Sequence, residues 1–122
     1  MIIGLGIDLA DIQAIATSLE NEAFVDKVFT PAETAACRAY HNSAEHFAGK
    51  FAAKEAFMKS IGQGMRQQVW FTQIEVLNDP QGKPFIQTTG RAAEVLAALG
   101  ATHIHLSLSH TANLAAAVVI LT

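Results

Sequence analysis

The stretch FAGKFAAKEAFMKSIGQG, residues 47–64, reads as the body of one long apolar helix that starts near residue 44, ends near residue 61 and is stopped by Gly62 and Gly64. At about 100° per residue, Phe47, Phe51, Phe57, Met58 and Ile61 fall on one broad side, the expected core face. Glu55 and Lys59 fall together on another side, one turn apart, beside Ala48, Ala52 and Ala56, whose small side chains leave room for a bulky group. Glu55 is the only acid in the stretch, among Lys50, Lys54 and Lys59. A Glu-to-Lys pair at i and i+4 is ordinary helix decoration. A carboxylate and an ammonium under open space also fit a metal-bound phosphate, oxygen for Mg²⁺ and ammonium for the phosphate. The helix by itself leaves both readings open.

The segments around it set the fold class. IIGLGID opens as a short strand ended by Asp8, and a helix follows over 11–19 with Asp8 or Asp11 as its cap. Thr30, Pro31 and Glu33 form a helix start signal for a helix over 31–40. VWFTQIEVLND and KPFIQTT are β-like and joined by the turn DPQGK, and an alanine-rich helix over 91–99 is closed by Gly100. HIHLSLSH alternates, with Ile104, Leu106 and Leu108 on one face and His103, His105, Ser107 and Ser109 on the other, before NLAAAVVIL returns as an apolar strand. Five strands, four helices and two hairpins make an α+β domain with a mostly antiparallel sheet, one domain over 1–122.

Asp8 and LSLSHT add to the chemistry. An acid at the end of a first strand is a common mount for a metal ligand and equally a plain helix cap. Mg²⁺ takes one or two protein carboxylates and completes its shell with phosphate oxygens and water, so Asp8 and Glu55 would suffice. Ser109 and His110 are adjacent, but no GxSxG elbow raises a serine, which argues against a serine hydrolase.

A net charge of −3 argues against a general nucleic-acid or anionic-membrane binder. Half of the eight Lys and Arg, namely Lys50, Lys54, Lys59 and Arg66, nevertheless lie in one short region suited to a phosphate-bearing small molecule. The 51% hydrophobic and 16% charged residues favour a further buried interface between copies of the chain. Cys37 is the only cysteine, so no intrachain disulfide forms, and no targeting segment is recognisable; a cytoplasmic protein is expected.

Taken in order and spacing, GIDLADIQAI, FAGKFAAKEAFMKSIGQG and LSLSHTANLAAAVVI resemble the holo-[acyl-carrier-protein] synthases, the small 4′-phosphopantetheinyl transferases. FTQIEVLNDPQGKPFI looks like the central hairpin of that family, so the resemblance covers the chain. It implies Mg²⁺-dependent transfer of the phosphopantetheine arm of coenzyme A to a serine of an apo acyl carrier protein, as in fatty acid biosynthesis, releasing adenosine 3′,5′-bisphosphate. A homotrimer with active sites between subunits is implied too. By the same resemblance Asp8 and Glu55 are Mg²⁺ ligands and Lys59 meets the coenzyme A phosphates. Lys50, Lys54, Gly62, Pro84, Ser109, His110 and Thr111 are candidates for the coenzyme A cleft. Members of the family usually carry an arginine in the first helix that meets the acidic carrier; here the stretch is LADIQAIA, with Gln13 and Ala14 and no basic residue before Lys27. Lys27, Arg38 and Arg66 are the candidates to replace it. That gap keeps a second reading, a catalytically silent trimeric scaffold that binds carrier proteins; intact Asp8, Glu55 and Lys59 speak against it. A third reading, a Mg²⁺-dependent hydrolase of nucleotide diphosphates, would need no protein acceptor.

Overall fold

Along the chain run β1 (Gly4–Asp11), α1 (Ile12–Ser18), α2 (Glu22–Val28), α3 (Pro31–Arg38), α4 (Ser43–Ser60), β2 (Ile74–Asn78), β3 (Pro84–Thr88), α5 (Gly90–Ala98), β4 (Ile104–His110) and β5 (Leu114–Leu121). The computed structural model describes residues 1–62 and 67–122, so Gly64 and Arg66 lie outside the described residues. The strands form one sheet in the order β1-β5-β4 and a separate β2-β3 hairpin, all pairs antiparallel.

The 18 residues of α4 lie against β1 and β5 on one side and meet α1, α3 and β2 on others. Phe47, Phe57, Met58 and Ile61 are buried as expected, with Phe51 half-buried. Ala48, Ala52 and Ala56 are buried as well, so the room they leave is filled by the protein's own sheet and not by a ligand. Register shows how. Gly4, Gly6, Asp8 and Ala10 pair with Leu121, Val119, Ala117 and Ala115 and share their face of the sheet. A Cβ on Gly6 would run into the Ala56 carbonyl oxygen, and one on Gly4 into the Ser60 carbonyl oxygen, both backbone atoms that cannot swing aside. Glycine in β1 and alanine in α4 are two halves of one close approach. Gly6→Ala should therefore cost at least about 3 kcal/mol and lower the melting temperature by roughly 10 °C, read by a thermal melt.

The opposite face of this sheet is open. Leu5, Ile7 and Leu9 on the edge strand β1 are 60%, 63% and 62% exposed, and their neighbours Ile120, Val118 and Ala116 are only half-buried.

Three expectations change. Asp8 sits in the middle of β1, not at its end, because the pairing with β5 continues to Asp11; Asp11 is the cap of α1, accepting from the Ala14 amide at 2.8 Å. Among the described residues there are five α-helices, the extra one being α2, capped by Asn21 through the Ala23 amide at 2.9 Å. Residues 71–73 form a 3₁₀ turn in place of strand, and β2 starts only at Ile74. The capping box at Thr30 and Glu33 forms as read, with the Thr30 amide donating to Glu33 Oε1 at 2.8 Å.

Candidate active site

Asp8 from β1 and Glu55 and Lys59 from α4 come together where the middle of the strand crosses the C-terminal half of the helix. Lys59 Nζ donates to Asp8 Oδ1 at 2.9 Å and to the Ile7 carbonyl at 3.0 Å, with the Lys59 side chain 56% exposed. Burial pushes the Glu55 carboxyl above the usual range, the Asp8 carboxylate pushes it further, and Lys59 opposes both. The two carboxylates are close enough to repel, and that repulsion adds to burial in raising the proton affinity of Glu55. A divalent cation would relieve that repulsion. Among the described residues no group of three or more His, Cys, Asp and Glu forms a denser site, and two carboxylates beside open solvent are the donor set of Mg²⁺. The residues present fit the metal that the sequence suggests.

Lys50, Pro84, Ser109 and His110 line a second feature, a cavity of about 120 Å³ between the N-terminal half of α4, the β2-β3 hairpin and the end of β4. Lys50 Nζ donates to the Val76 carbonyl at 2.6 Å, which holds its ammonium at the cavity wall. Glu45 and Asn78, not singled out in the sequence, line it too; Glu45 Oε1 lies 3.4 Å from His110 Nδ1. Its place one turn before Gly49 and Lys50 was the available signal. Thr111 follows His110 and shapes the β4-β5 turn, its hydroxyl accepting from the Asn113 and Leu114 amides. Gly62, with φ +98°, ends α4 one turn beyond Lys59.

Lys54 belongs to neither cluster. Its side chain is fully buried and its ammonium donates to Glu33 Oε1 at 2.8 Å, to the Phe71 carbonyl at 2.9 Å and to the Ile74 carbonyl at 2.6 Å. The expectation that it faces the coenzyme A cleft gives way to a place in the core, where burial lowers its proton affinity and Glu33 opposes the fall. Cys37 is buried, and desolvation pushes its thiol up to about 11, as suits an inert core residue.

In one chain the two clusters do not merge. Five residues along a helix rotate the side chain by about 140°, so Lys50 and Glu55 leave α4 in different directions. No residue of the cavity belongs to the Asp8, Glu55 and Lys59 cluster.

Comparison with known proteins places the chain in a family. The sequence model of the 4′-phosphopantetheinyl transferase superfamily matches residues 4–119. A holo-[acyl-carrier-protein] synthase of Koribacter versatilis is 45% identical, over 99% of this chain and 98% of its own. The crystal structure of the Neisseria meningitidis holo-[acyl-carrier-protein] synthase superposes with a TM-score of 0.91 at 30% identity, covering 100% of this chain and 99% of that one. That of the Bacillus anthracis synthase, in complex with CoA (3′,5′-ADP), superposes at 0.82 with 35% identity, covering 99% and 96%. The chain belongs to the 4′-phosphopantetheinyl transferase superfamily, and within it to the holo-[acyl-carrier-protein] synthases.

Proposed function

We propose that this phosphopantetheinyl transferase moves the 4′-phosphopantetheine arm of coenzyme A to a serine of an apo acyl carrier protein in the cytoplasm, using Mg²⁺ and releasing adenosine 3′,5′-bisphosphate, at sites shared between subunits of a homotrimer. The observation that carries the reading is the meeting of Asp8, Glu55 and Lys59 beside an open surface. Bound coenzyme A in relatives of this fold supports the donor.

The serine oxygen forms a bond to the β-phosphorus of the coenzyme A pyrophosphate, and the bond from that phosphorus to the bridging oxygen breaks, leaving the charge on the bisphosphate. Asp8 and Glu55 would hold the Mg²⁺, whose contribution would be to neutralise charge on the diphosphate. Lys59, whose ammonium lies at Asp8 and is more than half exposed, would stabilise the charge growing on the phosphate oxygens. Glu55, with its raised proton affinity, is one candidate to receive the serine proton, a water the other. The nucleophile comes from the carrier, so the protein needs none of its own.

The second cluster is the proposed seat of the nucleotide end. Lys50 supplies positive charge, the His110 ring a hydrogen-bonding group, and Pro84 and Val76 an apolar wall. Because it is separate from the metal pair within one subunit, and because Asp8 and Lys59 open at the edge strand β1, a second copy packed along β1 would bring a neighbour's surface to the metal pair. The intact Asp8, Glu55 and Lys59 argue against a silent scaffold.

The test is the intact mass of an apo acyl carrier protein after incubation with the protein, coenzyme A and Mg²⁺. A gain of one phosphopantetheine, lost with EDTA, is expected; nucleotide cleavage without carrier modification would instead identify a hydrolase. Docking of the carrier makes a further prediction. Arg38 is held by Glu22 at 3.0 Å on the surface, Lys27 lies at the end of α2, and α1 carries no cation. Ala14→Arg should lower the KM for an acidic carrier by about fivefold with little change in kcat; an unchanged KM would mean the carrier docks away from α1.

A further inference from the structure

Among the described residues β2 has a strand partner on one side only, so outward-facing backbone groups of Ile74 and Val76 have no neighbouring strand there to bond. Side chains take that place. Glu33 Oε2 accepts from the Val76 amide at 2.7 Å, Lys54 Nζ donates to the Ile74 carbonyl at 2.6 Å, and Lys50 Nζ donates to the Val76 carbonyl at 2.6 Å. Glu33 and Lys54 are bonded to each other at 2.8 Å, both side chains 0% exposed. With the Phe71 carbonyl, all three donors of Lys54 are used. Three side chains of α3 and α4 thus stand where a further strand would. The strand they grip carries Val76 and Asn78, and with Pro84 of β3 these form the hairpin wall of the cavity opposite His110. An apolar pair would fill the same core with less desolvation cost. A fully bonded ionic set adds one defined position for the backbone it holds.

We infer that Glu33 and Lys54 are positioning residues for coenzyme A binding, fixing the hairpin wall at its distance from Lys50 and His110 before the ligand arrives. The inference rests on the reading of this cavity as the coenzyme A cleft.

Lys54→Met keeps the length of the stem and removes the ammonium. Its KM for coenzyme A should rise about tenfold or more, while kcat at saturating coenzyme A and the KM for the carrier stay within about threefold, since the metal pair lies elsewhere. A folded variant with an unchanged KM for coenzyme A, or with kcat lost and that KM kept, overturns the inference. Breaking a buried pair can also unfold a domain of this size, so amide exchange on the unmodified protein supplies a second reading. The Val76 amide should exchange only through global unfolding in the ligand-free protein, and coenzyme A should not change that class of exchange. A Val76 amide that opens locally without ligand and closes on addition of coenzyme A overturns it. Failure of the underlying reading has its own signature: the unmodified protein then neither binds nor turns over coenzyme A, which removes the inference with it.

Discussion

Glu55→Gln is expected to fold and assemble like the parent chain and to lose on the order of a thousandfold in Mg²⁺-dependent transfer. The amide keeps the shape of the carboxylate and loses the charge that a cation needs. Stability should move the other way. In the folded, metal-free protein the Glu55 carboxyl is raised by burial and by Asp8, so its charged form is disfavoured by folding. That cost is present above the folded pKa and disappears as the pH falls through the unfolded one. At neutral pH and in EDTA the variant should therefore melt no lower than the parent. Added Mg²⁺ should stabilise the parent and leave the variant unmoved, because only a state that binds the ion gains from it. A variant that melts well below the parent in EDTA would assign Glu55 a structural role, and full transfer by a well-folded variant would remove the metal reading.

How far the sequence foretold this site depends on which neighbours each residue has. Glu55 and Lys59 were legible because helix periodicity is local, and separation from Phe47, Phe57 and Met58 could be read from spacing alone. The cap at Thr30 and Glu33 was legible for the same reason. Lys54 was not. It is four residues from Lys50, and only the arrival of Glu33 from α3 and of β2 carbonyls, at 20 and 21 residues' separation, makes it a core residue. The alanines of α4 were misread as clearance for a ligand because their partner, the glycine pair in β1, lies some fifty positions away. Helix α2 was missed because seven residues with only two buried positions, Val25 and Val28, scarcely exceed the noise of a periodic pattern. Asp8 was read at the end of its strand and lies in its middle. Its strand is prolonged by pairing with β5, which no local signal in GIDLAD reports.

Two inactive variants should regain activity when their subunits are mixed, and this tests the division of the site between chains. Glu55→Gln damages the metal half; His110→Glu places a negative charge in the proposed nucleotide cleft, at an exposed position where folding should be spared. If each site takes Asp8, Glu55 and Lys59 from one subunit and Lys50, Pro84 and His110 from the next, a mixed ring contains some sites in which both halves are sound. Random assembly of equal amounts gives about a quarter of the parent activity, since a sound site needs the right chain on each side of a head-to-tail interface. If both halves of every site came from one chain, mixing would restore nothing. In this reading the apolar face decides whether subunits associate. Leu5, Ile7 and Leu9 are too exposed to be at rest in water as a contiguous row, and a second copy is the occupant proposed for them. Ile7→Asp should therefore release monomers on a sizing column. It should also abolish transfer, although the Ile7 side chain lies on the face of the sheet opposite that of Asp8, and the monomer should contribute nothing to a mixture with Glu55→Gln. Retained activity in a monomeric Ile7→Asp would show that one chain suffices, and would return the two clusters to a single site closed by motion within the subunit.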